Sequence, residues 1–164
     1  VGIASNMRRY EQLAEFESWA RRSGLRFNKH LVVSPVFFVR MLSRGKWLRS
    51  VRFRSLAPKE VVEIYGSAKA IVDLPNNFQS GFTMRTFEAL GAYRKLITTN
   101  EAVVNEDFYT PESVCVIVNG AGGESFPEMS FLQSQPVFSP AIERYSLRAW
   151  ISALMGWSIT GSGS

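Results

Sequence analysis

Short apolar segments alternate with longer amphipathic ones along almost the whole chain. Six short apolar runs predict β-strands at residues 1–5, 30–34, 51–55, 70–75, 95–100 and 114–118. The intervening segments predict helices at residues 7–22, after Pro35, after Pro58, from about Thr83 through Gly91, and over residues 141–157. This alternation predicts an α/β fold with a parallel sheet of about six strands covered by helices on both faces. In such sheets, ligands bind at the carboxyl ends of the strands where the strand order reverses.

The length and the rarity of cysteine and histidine narrow the class of protein. The 164 residues have room for one domain, predicted over 1–158, while residues 159–164 resemble a linker or cloning remnant. Because the chain starts without Met in a strand-like run, we expect an excised piece of a longer protein. Cys115 is the one cysteine and His30 the one histidine, so neither an intrachain disulfide nor a zinc site of the usual ligands can form. No apolar run reaches the roughly 18 residues of a membrane-spanning helix, and we predict a cytoplasmic location.

The net charge of +5 is concentrated in one part of the chain. The densest basic stretch contains Arg40, Arg44, Lys46, Arg49, Arg52 and Arg54. Such a stretch can be no more than a solvated face. If it is functional, it favours a phosphate-bearing ligand, an anionic surface such as the inner face of the cytoplasmic membrane, or a nucleic acid. Charge alone does not choose among these partners.

The most informative stretch is NNFQSGFTMRTFEALGAYRKLITTN, residues 76–100. It follows the strand-like AIVDLP, turns through polar residues and enters a helix at about Thr83. Free backbone N–H groups and the positive end of the helix dipole are therefore expected between Ser80 and Met84. Gly81 would let an anion approach the backbone closely, and the Thr83 side chain could cap the helix. These features predict an anion site at the start of this helix.

Two side chains further into the same helix suggest what the anion could be. Arg85 can offer a charged fork to phosphate oxygens, and Glu88 can accept hydrogen bonds from a pair of sugar hydroxyls. A diphosphate followed by a ribose matches this order. The same residues equally fit a capped surface helix in which Arg85 and Glu88 form an i,i+3 ion pair. Both interpretations stay open on the residues alone.

A second glycine cluster, NGAGG at 119–123, follows a strand-like run. The next segment, ESFPEMSFLQSQP, contains prolines and lacks helical periodicity, so it offers no helix start for a dinucleotide. We therefore predict a mobile turn there.

The block QSGFTMRTFEALG…KLITTN resembles the donor-binding motif of glycosyltransferases with two Rossmann-like domains, the GT-B fold. More narrowly, it is similar to bacterial lipopolysaccharide and capsular polysaccharide biosynthesis proteins, a likeness that covers residues 1 to about 155. The resemblance implies a single Rossmann-like domain, the C-terminal nucleotide-sugar-binding half of such an enzyme. The acceptor-binding domain would be missing, so the piece is expected to be inactive alone. It also leaves the catalytic base unidentified.

Carried over residue by residue, the resemblance makes Glu88 the carboxylate that binds the ribose. Arg85 would be the cationic partner of the diphosphate. The backbone groups of Gly81, Phe82 and Thr83 would bind its oxygens.

The resemblance is less direct at the remaining positions. Ser80 stands where many of these enzymes carry a glutamate eight residues before the ribose glutamate, which puts in doubt how the transferred sugar is held. Arg8 and Arg9 would face the same cleft, and the segment from Arg54 to Leu56 would lie near the base. Enzymes of this fold typically stabilise the leaving diphosphate without a metal or other cofactor, and the lack of an Asp-x-Asp sequence agrees with that.

The sequence thus predicts a domain that binds a nucleotide diphosphate sugar for bacterial surface-glycan synthesis. A non-catalytic nucleotide- or phosphate-binding module is the main alternative, and it would need no ribose carboxylate. A nucleic-acid-binding domain built on residues 40–54 ranks last, since Trp47 and Phe53 are as easily core residues. No nucleic-acid partner is therefore expected.

Overall fold

Strands and helices alternate along the chain in this computed structural model. It describes residues 2–4, 7–32, 35–43, 51–75, 81–117 and 125–155. The strands are β1 (Gly2–Ala4), β2 (Lys29–Val32), β3 (Val51–Arg52), β4 (Ala70–Asp73), β5 (Lys95–Thr98) and β6 (Val114–Val116). The α-helices are α1 (Met7–Arg22), α2 (Pro35–Leu42), α3 (Pro58–Ser67), α4 (Met84–Gly91), α5 (Met129–Gln133) and α6 (Leu147–Leu154). Two 3-10 helices span Glu101–Asn105 and Pro140–Tyr145. None of these described helices is long and apolar enough to cross a membrane.

All the described strand pairs are parallel. β4 pairs with β5 and β5 with β6, so that Val72 lies opposite Ile97 and Ile97 opposite Cys115. β1 flanks β4 on its other side, and β2 and β3 follow, which gives the order β3-β2-β1-β4-β5-β6. Helical segments connect the strands because parallel neighbours cannot be joined by a tight turn. The prediction of a mixed α/β fold on a parallel sheet is confirmed.

Two apolar clusters lie on opposite sides of the central strands. Successive strand residues point to opposite faces, so the neighbours Ile71 and Val72 belong to different clusters. One cluster joins the strands to α1 through Leu13, Phe16, Val72, Leu74, Ile97 and Ile117. The other joins them to α3 and α4 through Tyr65, Ile71, Ala89, Leu90, Leu96 and Val114. These clusters fix α1 on one face of the sheet and α4 on the other.

The end of α1 follows from a glycine in the left-handed region. Gly24 has a φ of 71°, and the Leu25 N–H donates to the Ala20 carbonyl at 2.8 Å. This is the Schellman arrangement, in which glycine meets no steric penalty. Gly24 therefore terminates α1.

The chain after β6 differs from the sequence prediction. The helix expected over residues 141–157 is divided into the 3-10 helix Pro140–Tyr145 and α6, because the Ser146 hydroxyl accepts the Ala149 N–H at 3.1 Å and starts a new helix. A short helix, α5, also occupies part of the segment after NGAGG, where we predicted none. The glycine cluster itself lies outside the described residues.

Lys95 explains why α5 forms. Its buried ammonium donates to the Ser134 carbonyl at 2.6 Å, to the Ser134 hydroxyl at 2.8 Å and to the Phe131 carbonyl. It also lies 4.7 Å from the centre of the Phe131 ring. A cation at the carbonyl end of a helix satisfies acceptors that the helix leaves free. Burial, with a smaller effect from nearby Lys69, lowers the pKa of Lys95.

Candidate functional site

The strand order reverses between β1 and β4. From β1 the chain continues to β2 and β3 on one side, whereas from β4 it continues to β5 and β6 on the other. The helices that follow these two strands, α1 and α4, therefore begin at the same edge of the sheet and diverge to opposite faces. A crevice at such a reversal is where α/β proteins bind ligands.

The first turn of α4 presents backbone donors at this edge. Thr83 occupies the N-cap position with extended backbone angles, but its side chain makes no capping hydrogen bond, so the predicted role of its hydroxyl is wrong. No hydrogen-bond acceptor for the N–H groups of Met84 and Arg85 lies among the described residues. These two groups and the helix dipole favour an anion in front of the helix.

The Thr83 hydroxyl instead binds a buried carboxylate that the sequence reasoning missed. Asp73 is the last residue of β4 and is 1% exposed, and its Oδ2 accepts hydrogen bonds from the hydroxyls of Thr83 and, at 3.1 Å, Thr86. Its Oδ1 has no partner within the described part of the chain. An acidic residue inside the apolar run AIVDL was the signal that could have revealed it. Its negative charge lies behind the start of α4 and weakens the positive potential there.

The loop before α4 is held by its aromatic side chain. The Phe82 ring packs edge-on against Phe87 at 6.0 Å and Phe108 at 5.8 Å between ring centres. Gly81 is exposed, and a Cβ placed on it would meet no atom within 4 Å. The loop backbone is therefore anchored from within and open on its outer side, as close approach of a ligand requires.

Glu88 is held by a tyrosine of the neighbouring helix. Tyr65 of α3 is 3% exposed and donates its hydroxyl to Glu88 Oε2 at 3.2 Å, while the glutamate itself is exposed. Burial, and then the charge of Glu88, raise the pKa of Tyr65, against a smaller lowering by Arg85. Among the described contacts no ion pair joins Arg85 to Glu88, contrary to the surface-helix alternative. Within the described residues, Arg85 and Glu88 are therefore not bound to each other, and Glu88 bonds to Tyr65 instead.

The other predicted residues lie at different distances from this segment. The backbone of Arg8 and Arg9 forms the first turn of α1 at the same edge, next to β4 through β1. Arg54 and Leu56 follow β3, which is three strand spacings, about 14 Å, from β4. Arg54 pairs at 3.4 Å with Glu60 of α3. Ser80 and the side chains of Arg8 and Arg9 lie outside the described part of the structure.

No group of three or more potential metal-ligating side chains occurs in the described ranges. Comparisons with protein-family models, with curated proteins and with solved structures found no match to this chain.

Proposed function

We propose that this domain binds the nucleoside diphosphate of a sugar donor at the edge between β1 and β4. In this proposal it is the Rossmann-like donor-binding half of a cytoplasmic GT-B glycosyltransferase that builds bacterial lipopolysaccharide or capsular polysaccharide. One observation carries it: a helix start whose first N–H groups have no acceptor among the described residues lies at the strand-order reversal, and an exposed glutamate follows it on the same helix. The strand order and the flanking helices support the Rossmann-like assignment.

The diphosphate would bind in front of Met84 and Arg85. Their backbone N–H groups and the Arg85 guanidinium supply hydrogen bonds and positive charge, and the open face of Gly81 admits the oxygens. The buried carboxylate of Asp73 opposes this charge from behind the helix. Binding should therefore depend strongly on Arg85, because the helix start alone is partly neutralised.

The ribose would be bound by Glu88. A carboxylate can accept two hydroxyl hydrogen bonds at once, and the Tyr65 hydroxyl restricts its rotamers before the ligand arrives. This prior ordering reduces the entropy lost on binding. A phosphate-only module would have no use for such a carboxylate, so Glu88 separates the two functions.

Isothermal titration calorimetry with a panel of nucleoside diphosphates, with and without EDTA, tests the proposal. We expect binding that EDTA does not abolish, since Arg85 and the helix start replace a metal. Glu88→Ala should weaken nucleotide binding by at least about 30-fold, the equivalent of two hydrogen bonds to a charged acceptor. Arg85→Ala should weaken the binding of both nucleoside diphosphate and inorganic pyrophosphate.

Two exposed residues remote from the edge provide matched controls. Glu112 lies just before β6 and Arg26 lies just before β2, both at the amino end of the sheet, so Glu112→Ala and Arg26→Ala should leave affinity unchanged. If Glu88→Ala binds nucleotides as the parent does while Arg85→Ala does not, the site is a phosphate module. If no nucleotide binds at all, the proposal is wrong.

A further inference from the structure

A fixed negative charge lies within the first turn of α4. Asp73 Oδ2 accepts the hydroxyls of Thr83, the N-cap residue, and of Thr86, three residues further into the helix. Asp73 is 1% exposed, so water and salt screen its charge only weakly. Its Oδ1 has no partner within the described part of the chain. An anion bound in front of α4 therefore lies in the field of this carboxylate.

The charge of Asp73 also acts on neighbouring side chains. Burial, and then the charge of Glu88, are the main causes of the raised pKa of Tyr65, and Asp73 adds a smaller rise. The charged side chains of β4 and α4 are Asp73, Arg85 and Glu88, two negative and one positive. The single cation of these two elements is thus outnumbered by carboxylates. This segment therefore suits an anion of low charge better than one of high charge.

We propose that Asp73 makes this site prefer the nucleotide sugar donor over the nucleoside diphosphate product. This preference rests on the proposed function, because it concerns the same site. Sugar transfer breaks the bond between the anomeric carbon and the terminal phosphate oxygen, which keeps the electron pair. The same carbon forms a bond to an acceptor hydroxyl oxygen, which loses its proton. The diphosphate thus changes from two negative charges to three wherever the pH exceeds the second pKa of a phosphate monoester, about 6.

Repulsion from Asp73 acts on the third charge, which only the product carries. Two unit charges roughly 10 Å apart, at an effective dielectric constant between about 20 and 80, change a binding constant by about two- to fifteenfold. The groups that would bind the diphosphate, namely the N–H groups of Met84 and Arg85 and the Arg85 guanidinium, are the same for donor and product. The carboxylate therefore weakens the binding of the product more than that of the donor, which favours product release after transfer.

Calorimetry with matched ligand pairs tests this role of Asp73. UDP is compared with UDP-glucose, GDP with GDP-mannose, and ADP with ADP-glucose, at a pH of about 8 and with EDTA. For a pair that binds, Asp73→Asn should lower the ratio of the product Kd to the donor Kd at least about threefold. Asp73→Thr removes the same charge with a residue that suits a strand and keeps a hydroxyl, so it should lower the ratio likewise. Partial unfolding would weaken both ligands by the same factor and leave the ratio unchanged.

Glu112→Gln is the matched control, since it removes one carboxylate charge from an exposed position just before β6. It should leave the ratio within about twofold of the parent value, because distant exposed charges are screened by salt. A ratio that the two neutral Asp73 variants leave unchanged, or that Glu112→Gln lowers equally, would overturn this role of Asp73, while binding of the donor would still support the proposed function. If the parent binds none of the pairs, the proposed function itself is wrong, and the preference is wrong with it.

Discussion

The buried contact between Asp73 and Thr83 links the central strand to the start of α4, and Thr83→Val tests it. The substitution replaces the hydroxyl with a methyl group at a position that is 8% exposed. It removes a hydrogen bond to a carboxylate whose other oxygen has no partner among the described residues. Hydrogen bonds to charged groups contribute about 1.5–3 kcal/mol to folding stability. Because this carboxylate is buried and has few hydrogen-bond partners, we expect a value in the upper part of that range.

A double-mutant cycle with Asp73→Asn separates this contact from other effects of the mutation. The amide of asparagine is neutral, so losing the Thr83 hydroxyl in that background should cost about 1 kcal/mol or less. The coupling energy between the two positions is therefore expected to be at least about 1 kcal/mol. Asp73→Asn alone removes both the desolvation cost of a buried charge and the charge-assisted bonds from two hydroxyls, which act on stability in opposite directions. The coupling energy does not depend on which of the two effects is larger.

Urea unfolding followed by circular dichroism measures each corner of the cycle. With a slope of about 2 kcal/mol per molar, Thr83→Val should move the midpoint down by about 1 M. Thr99→Val is the control, since Thr99 is half-buried directly after β5 and its hydroxyl makes no hydrogen bond within the described residues. A Thr83→Val effect below about 0.5 kcal/mol, or an equal effect with Asn at position 73, would refute this account of how the loop is held.

Three further predictions follow from other contacts. Gly24→Ala should destabilise the fold by about 1 kcal/mol because residue 24 has a positive φ. Gly66 lies in α3 with equally open space around it, so Gly66→Ala should stabilise the fold by about 0.5–1 kcal/mol. Opposite shifts in melting temperature would confirm this difference, and equal shifts would contradict it. The pKa of Tyr65 is raised in the folded state, so the folded state keeps the phenol proton at a pH where the unfolded state has lost it. Above a pH of about 10 the parent should therefore lose stability relative to Tyr65→Phe by up to about 1.4 kcal/mol per pH unit. Parallel curves of stability against pH for the two proteins would argue against a buried phenol. Lys95→Met should destabilise the packing of α5 against the sheet, so amide hydrogen exchange should accelerate more at Phe131 and Leu132 than in β5. Equal acceleration throughout the domain would mean that Lys95 supports the whole core.

Local patterns in the sequence determined the order and approximate position of most strands and helices. The bounds of α1 are those predicted from its apolar face, and α3 begins at Pro58, because apolar periodicity and proline act over a few neighbouring residues. The same reasoning placed α4 within one residue and identified Gly81, Arg85 and Glu88 as one candidate site. It failed after β6, where a continuous apolar pattern concealed the new start at Ser146.

Only the tertiary structure decided which side chains meet across elements. Asp73 binds hydroxyls 10 and 13 residues away, Tyr65 donates to Glu88 23 residues further along, and Lys95 holds carbonyls 36 and 39 residues later. None of these pairs has a signature in local periodicity, since each depends on which strands are neighbours and on which face a helix packs. The strand order sets those relations, and it is selected by burial of the two apolar clusters together, a property of the whole chain and not of any one segment.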